Sequence, residues 1–352
     1  MRLFALAAVL LLAASGGAAP AASGPSLQQL AGQLLLVRMR GTSPSPAFLQ
    51  RVERGEVGGV VLFGTNLGPA GPKAAIASLQ AAARAGGQPP LLVAVDQEGG
   101  IVKRLAGPPT LAPPAMRTAA VARAQGLATA RSLRSLGIGL DLAPVLDVDH
   151  GGFIGPRTFG STPATVAVRG VAFADGLAAG DVGATAKHFP GLGRAAVSTD
   201  DAPTVVPATA AQLRADWAPF RLAARHGIAA VMMSTAVYPA LGSRLPAAFS
   251  QAIVGDLRHE LGFRGVVVTD ALQTPAVNSR WSTAQAAVLA LAAGDDMALA
   301  AGSSDSYADT DGASSSSLAA IVAAVRSGQL PVARLRASYA RVVALKRRLP
   351  TG

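Results

Sequence analysis

Charged and polar side chains stand at the ends of short apolar runs, and these are the residues whose types and spacing could do chemistry. Asp96 closes the run 91–96 and Asp270 the run 265–270. Lys187 and His188 stand at the end of 183–187, Ser234 follows 229–233, and a polar segment from Asp147 to Arg157 follows 139–143. Taken singly, an Asp after an apolar run is most often a helix cap or a turn former. Five such ends out of eight argue against that reading for all of them, because carboxylates and cations collected on one rim are the material of nucleophilic, acid–base and charge-assisted chemistry. Cysteine is absent. That removes thiolate nucleophiles, disulfides, Cys-based zinc sites and a lipid-attachment cysteine.

Those ends converge only if the runs are strands of one sheet. The apolar runs 33–39, 59–63, 91–96, 139–143, 183–187, 229–233, 265–270 and 296–300 alternate with Ala-rich stretches at helical spacing over 116–136, 163–179, 210–226, 251–261 (Ser250 as N-cap) and 281–293. Eight β-α alternations predict an α/β fold, a single (β/α)8 barrel with peripheral helices, whose catalytic groups gather at the C-terminal strand ends. A doubly wound sheet would call for a Gly-rich phosphate loop after the first strand, and residues 38–51 contain none. The stretches 107–114, rich in Pro, and 302–317, rich in Ser, read as loops, the second a mobile link to a last helix ending near Lys346. Pro275 argues against a helix immediately after Asp270, and the acidic doublets Asp200-Asp201 and Asp295-Asp296 read as solvated turns or caps.

Composition narrows the function classes. Half of the 352 residues are hydrophobic and 14% are charged, which excludes a disordered chain. The net charge of +11 would suit nucleic acid, but only four of the cations are Lys, no basic run exceeds three residues, and two Trp and three Tyr give no stacking surface. No nucleic-acid partner is expected. Arg2, an apolar run over 3–14 and small residues over 15–23 read as a signal peptide over 1–22, cut near Ala21 or Ala22. About twelve apolar residues fall short of the roughly 20 that a membrane span needs. The expectation is a secreted or cell-envelope protein without stable membrane insertion, a barrel domain over 23–352, and a monomer. Dispersed His and unpaired carboxylates imply no metal and no cofactor.

Five spaced motifs carry a family resemblance. Asp96-Gln97-Glu98-Gly99-Gly100, Gly155-Pro156-Arg157-Thr158-Phe159-Gly160, Lys187-His188-Phe189-Pro190-Gly191, the run 265–270 ending Thr269-Asp270, and Ala293-Gly294-Asp295-Asp296-Met297 occur in order over nearly the whole chain. Together they resemble the family 3 glycoside hydrolases, and more narrowly the single-domain β-N-acetylhexosaminidases that trim peptidoglycan-derived sugars. The resemblance implies a barrel enzyme that retains anomeric configuration through a covalent glycosyl-enzyme intermediate, with Asp270 as nucleophile. It also implies that Asp96 accepts hydrogen bonds from sugar hydroxyls and that Arg104, Arg157, Lys187 and His188 donate to the same ring.

The sequence departs from the family pattern at the proton donor. Family members follow Lys-His-Phe-Pro-Gly-His-Gly, four residues on, with Asp-Ser-His, whose His is the general acid/base. This chain has Leu192 in the first motif and Ser198-Thr199-Asp200 in the second. Ile101 replaces an Arg usual after the Gly-Gly, and Ser234-Thr235-Ala236 stands where many members carry a His. Asp200 is the candidate replacement acid/base, weighed against a solvated turn residue. Of the remaining histidines, His226 and His259 fall near helix ends, leaving His150 as the spare. The alternatives to an exported β-N-acetylhexosaminidase acting on cell-wall fragments are a β-glucosidase-type specificity and a non-catalytic carbohydrate-binding relative.

Overall fold

In the computed structural model of the chain, every apolar run contains a strand: Leu35–Arg38 (β1), Gly59–Leu62 (β2), Leu92–Val95 (β3), Leu140–Asp141 (β4), Gly183–Phe189 (β5), Ala230–Met233 (β6), Val266–Thr269 (β7) and Ala298–Ala300 (β8). The structure describes residues 24–301 and 308–349, so the expected signal segment 1–22 lies outside the described residues. The strands pair in parallel in the order β8-β1-β2-β3-β4-β5-β6-β7. A parallel bridge from Val268 to Met297 joins β7 to the entry of β8 and closes the (β/α)8 barrel. Strand residues are buried throughout because one face fills the barrel and the other meets the helices, which is why the runs read as continuously apolar rather than alternating.

Several of the helices begin at side-chain caps. Thr118, Thr162 and Ser282 accept from the backbone N–H three residues on, ahead of Ala119–Ser135, Pro163–Ala179 and Thr283–Ala293, and Ser250 does the same for Gln251–His259. The stretch 210–226 is not one helix. It divides into Ala210–Asp216 and Ala218–Arg225 around Trp217, because Pro219 has no N–H to continue the ladder. Trp217 is wholly buried, and its ring lies 5.4 Å from that of Phe189, the last residue of β5, whose other side meets Phe220 edge-on at 5.3 Å. Aromatic pairs of this kind add about 0.5–1.5 kcal/mol each and fix the end of the strand that carries Lys187 and His188.

Two loop expectations are corrected, and the expectation that no helix follows Asp270 immediately holds. Within 302–317, residues 302–307 lie outside the described residues, whereas Ser314 to Ser317 form the first turns of the helix Ala313–Arg326. Two of their hydroxyls find partners there: Ser314 Oγ accepts from Arg51 Nη1 at 2.8 Å, and Ser316 Oγ donates to the Ala313 carbonyl at 3.0 Å. A separate last helix, Val332–Arg348, follows. Pro275 opens a one-turn helix, Pro275–Asn278, because proline is tolerated at the first helical position. Its N-cap residue is Thr274, so Asp270 is not spent as a cap. Finally, Asp295 and Asp296 are fully buried rather than solvated, with Asp296 held by Arg258, Arg341, Ser338 and the Val267 N–H.

Candidate active site

A cleft of about 650 Å³ opens at the C-terminal strand ends, and Asp96, Arg104, Arg157, Lys187, His188, Asp200 and Asp270 all line it. The side chains come from several elements. Asp96 follows β3, Lys187 and His188 sit in β5, Asp270 follows β7, and Arg157 ends the turn Gly155–Arg157. Asp200 lies on the long loop between β5 and Ala210–Asp216.

Arg104 is delivered by a structure the apolar pattern did not reveal. After β3 the chain makes a bulged antiparallel hairpin, Gln97–Gly99 with Val102–Lys103. Gln97 folds its far side inward: Oε1 accepts from the Arg104 and Leu105 N–H groups at 3.1 and 2.9 Å, and Nε2 donates to the Leu105 and Pro108 carbonyls at 3.0 and 2.7 Å. Its own N–H donates at 3.0 Å to Asp141, a fully buried carboxyl that burial pushes up to about 8. Arg104 is exposed, and its guanidinium has no partner among the described residues. Ile101, at the hairpin tip, is 72% exposed.

Behind the cleft floor lies a buried ion network. Lys187 Nζ stands 2.6 Å from Asp96 Oδ1 and 2.7 Å from Glu98 Oε1, and Arg157 grips Glu98 with both Nε and Nη2, at 2.8 and 2.7 Å. Burial alone would raise the pKa of Glu98, but Lys187 and Arg157 override it and hold the carboxyl at about 2. Burial likewise acts to lower Lys187, and Asp96 and Glu98 outweigh it so that the amine stays protonated above its ordinary range. A second pair fixes the histidine. Asp147, fully buried, accepts from His188 Nδ1 at 2.7 Å and from the Leu192 N–H at 2.7 Å. His188 is thereby turned so that Nε2 is the free ring nitrogen.

The loop after β5 passes very close to the segment behind Arg157. A Cβ on Gly193 would fall 1.6 Å from the Val148 carbonyl, so only glycine fits there, and Gly191 adopts φ +128. Farther along, Asp200 is an exposed residue that lines the cleft, and its N–H donates to Ser198 Oγ at 3.1 Å. Partial burial, and next the charge of Asp270, push the pKa of Asp200 upward. Asp270 Oδ1 accepts from the Ala271 N–H at 2.7 Å.

Not every polar strand end reaches the cleft. Ser234 is buried, with Oγ accepting from the Ala236 N–H at 3.0 Å. His150, the spare histidine, turns away and contacts both Asp216 oxygens at 3.0 Å and Arg194 Nη2 at 3.0 Å. Glu98 and Asp147 are the site residues that residue-level reasoning passed over, although both lie in quoted motifs or segments. A carboxylate immediately before the Gly99-Gly100 pair, or alone in the otherwise apolar stretch 142–148 after the fourth strand, is the available signal. Among the described residues no group of three His or carboxylate side chains could hold a metal ion. Another cleft, of about 740 Å³, opens at the opposite barrel end beside Gly183 and Ala229, and none of the candidate residues lines it.

A parallel barrel with a carboxylate-and-cation cleft at its C-terminal face is the class that fold and site define. Residues 26–345 match the glycosyl hydrolase family 3 N-terminal domain. The chain is 33% identical over 333 residues, 91% of its length and 93% of the relative's, to an uncharacterized secreted glycosyl hydrolase of Arthroderma benhamiae. A family 3 β-N-acetylglucosaminidase structure from Paenibacillus sp. FPU-7 superposes with a TM-score of 0.85 at 35% identity, over 92% of this chain. The chain spans 62% of the length of that protein. A β-N-acetylhexosaminidase structure from Beutenbergia cavernae gives a TM-score of 0.81 at 36% identity, covering 92% of this chain and 98% of the other. The chain belongs to glycosyl hydrolase family 3, and it is a glycoside hydrolase.

Proposed function

We propose that the protein is a retaining exo-β-N-acetylhexosaminidase that removes terminal N-acetylglucosamine from cell-wall fragments, with Asp270 as nucleophile and Asp200 as general acid/base. The observation that carries this reading is the pairing of two carboxyls in one cleft, one of them with its pKa driven up partly by the charge of the other. In the first step an Asp270 oxygen bonds the anomeric carbon, the glycosidic C–O bond breaks, and the Asp200 proton passes to the leaving oxygen. In the second step Asp200 takes a proton from water, whose oxygen bonds the anomeric carbon as the Asp270 ester bond breaks. Lys187, Arg157 and Arg104 supply donors to the sugar hydroxyls, His188 presents Nε2, and Asp96 accepts.

The names of the Paenibacillus and Beutenbergia proteins support the hexosaminide specificity. Export rests on the order Arg2, apolar run, small residues, with the barrel domain from residue 23 onward. No helix among the described residues is long and apolar enough to cross a membrane. Mass spectrometry of exported protein tests the cleavage near Ala21 or Ala22, and intact Met1 contradicts it. Product analysis on muropeptides tests the substrate.

Asp200→Ala tests the acid/base role. Glycosides with poor leaving groups should slow far more than activated aryl glycosides, azide should rescue the second step, and the alkaline limb of the pH profile, where Asp200 loses the proton it must donate, should disappear. Equal loss on both substrates removes Asp200 from the mechanism.

A further inference from the structure

On the side of the barrel remote from the cleft, Gln251–His259, the approach to β7 and the last helix, Val332–Arg348, border an open pocket of about 390 Å³. Five of its seven lining residues are basic: Arg258, His259, Arg264, Arg334 and Arg341. The carboxylate that answers them is Asp296, fully buried behind the guanidinium groups. One negative charge therefore serves three arginines, and Arg264 adds a fourth cation with no partner among the described residues. The neighbouring Asp295 does not restore the balance. Burial, and then the charge of Asp296, raise its pKa well above the usual carboxylate range, and both its oxygens lack a hydrogen-bond partner. Glu260 follows His259 on the chain but pairs with none of these arginines.

The donors not used internally face the pocket as a set. Arg341 gives Nε to Asp296 at 2.9 Å and leaves both terminal nitrogens free, and Arg334 gives Nε to the Leu291 carbonyl and Nη2 to the Asp295 carbonyl and leaves Nη1. Arg258 is used up on the Phe263 and Gly265 carbonyls and on Asp296, so it acts as a fixed wall of positive charge. Free donors from Arg334 and Arg341 on the last helix and from Arg264 on the approach to β7 suit a tetrahedral oxyanion with an oxygen for each, whereas a planar carboxylate would engage one fork. We propose that this pocket binds a phosphate group, either free inorganic phosphate or a phosphate of an anionic polymer, independently of the catalytic cleft.

The test uses the full chain at pH 7.5 and constant ionic strength, titrated with inorganic phosphate against chloride and followed by calorimetry and thermal unfolding. Saturable binding with a rise in Tm is expected. Arg264→Gln removes an exposed cation that no internal contact needs. It should weaken phosphate binding about tenfold, the worth of one charge-assisted hydrogen bond, while leaving kcat on an aryl N-acetylglucosaminide unchanged. No phosphate-specific response, or an unchanged affinity in Arg264→Gln, overturns the site. A polyphosphate arm separates the sources. Tighter binding than inorganic phosphate that Arg264→Gln weakens assigns the polymer, and equal affinity per phosphate assigns the free ion. Polyphosphate binding indifferent to Arg264→Gln is general attraction to a chain of net charge +11 and overturns the proposal.

Discussion

Glu98 and Lys187 meet at 2.7 Å behind the floor of the cleft, both side chains almost wholly withdrawn from water. The contact joins the hairpin after β3 to the end of β5, and through the second oxygen of Glu98 it extends to Arg157. One carboxylate thus sets the direction of two cations that face the ligand. Buried ion pairs are weak evidence of added stability, but removing one member leaves uncompensated charge in a dry environment.

Glu98→Gln should therefore cost roughly 3–5 kcal/mol of stability, read as a lower Tm. It should also lower kcat/KM on an aryl glycoside, because Lys187 and Arg157 lose their common anchor. An unchanged Tm and rate would show that Asp96 alone positions the amine.

Asp147 acts one layer out. It touches no cleft surface, and its oxygens hold His188 Nδ1 and the Leu192 N–H. Asp147→Asn should reduce kcat/KM roughly ten- to a hundredfold, the range for a charge-assisted hydrogen bond. Circular dichroism should stay native, and the loss should exceed that of a core variant of equal Tm. A loss no larger than that control would make Asp147 merely structural.

Lys346 gives a pH signature remote from the cleft. Its amine is fully buried with Gln33 Oε1 at 2.6 Å, and burial lowers its pKa to about 7. The unfolded chain holds that proton up to about pH 10.4. Between pH 7 and about 10 the unfolded state binds more protons, so stability should rise with pH across this window. Lys346→Met should stabilise the protein at pH 6, by an amount on the order of a few kcal/mol, and the gain should shrink toward pH 10. A difference in Tm that is flat with pH would contradict it.

The strands were legible because a barrel strand is buried on both faces, so its sequence is apolar without interruption, and the residue that ends the run is the residue that reaches the rim. Asp96, Lys187 and Asp270 were found that way. Glu98 and Asp147 were not, because their partners lie 89 and 41 positions away in the chain and local pattern carries no trace of that distance. The Ser-rich turn at Ser314 misled for a related reason. Serine reads as loop until a buried neighbour such as Arg51, 263 residues distant, supplies the contact. Asp295-Asp296 failed likewise, since its arginines come from two later or earlier helices.

The central claim is that Asp270 forms a covalent bond to the sugar. Incubation with a 5-fluoro N-acetylglucosaminide bearing a good leaving group should accumulate a glycosyl-enzyme whose added mass maps, after proteolysis, to the peptide containing Asp270, and Asp270→Ala should abolish both the label and turnover. A label on any other residue, or an Asp270→Ala protein that keeps more than about a tenth of wild-type kcat, would contradict the account.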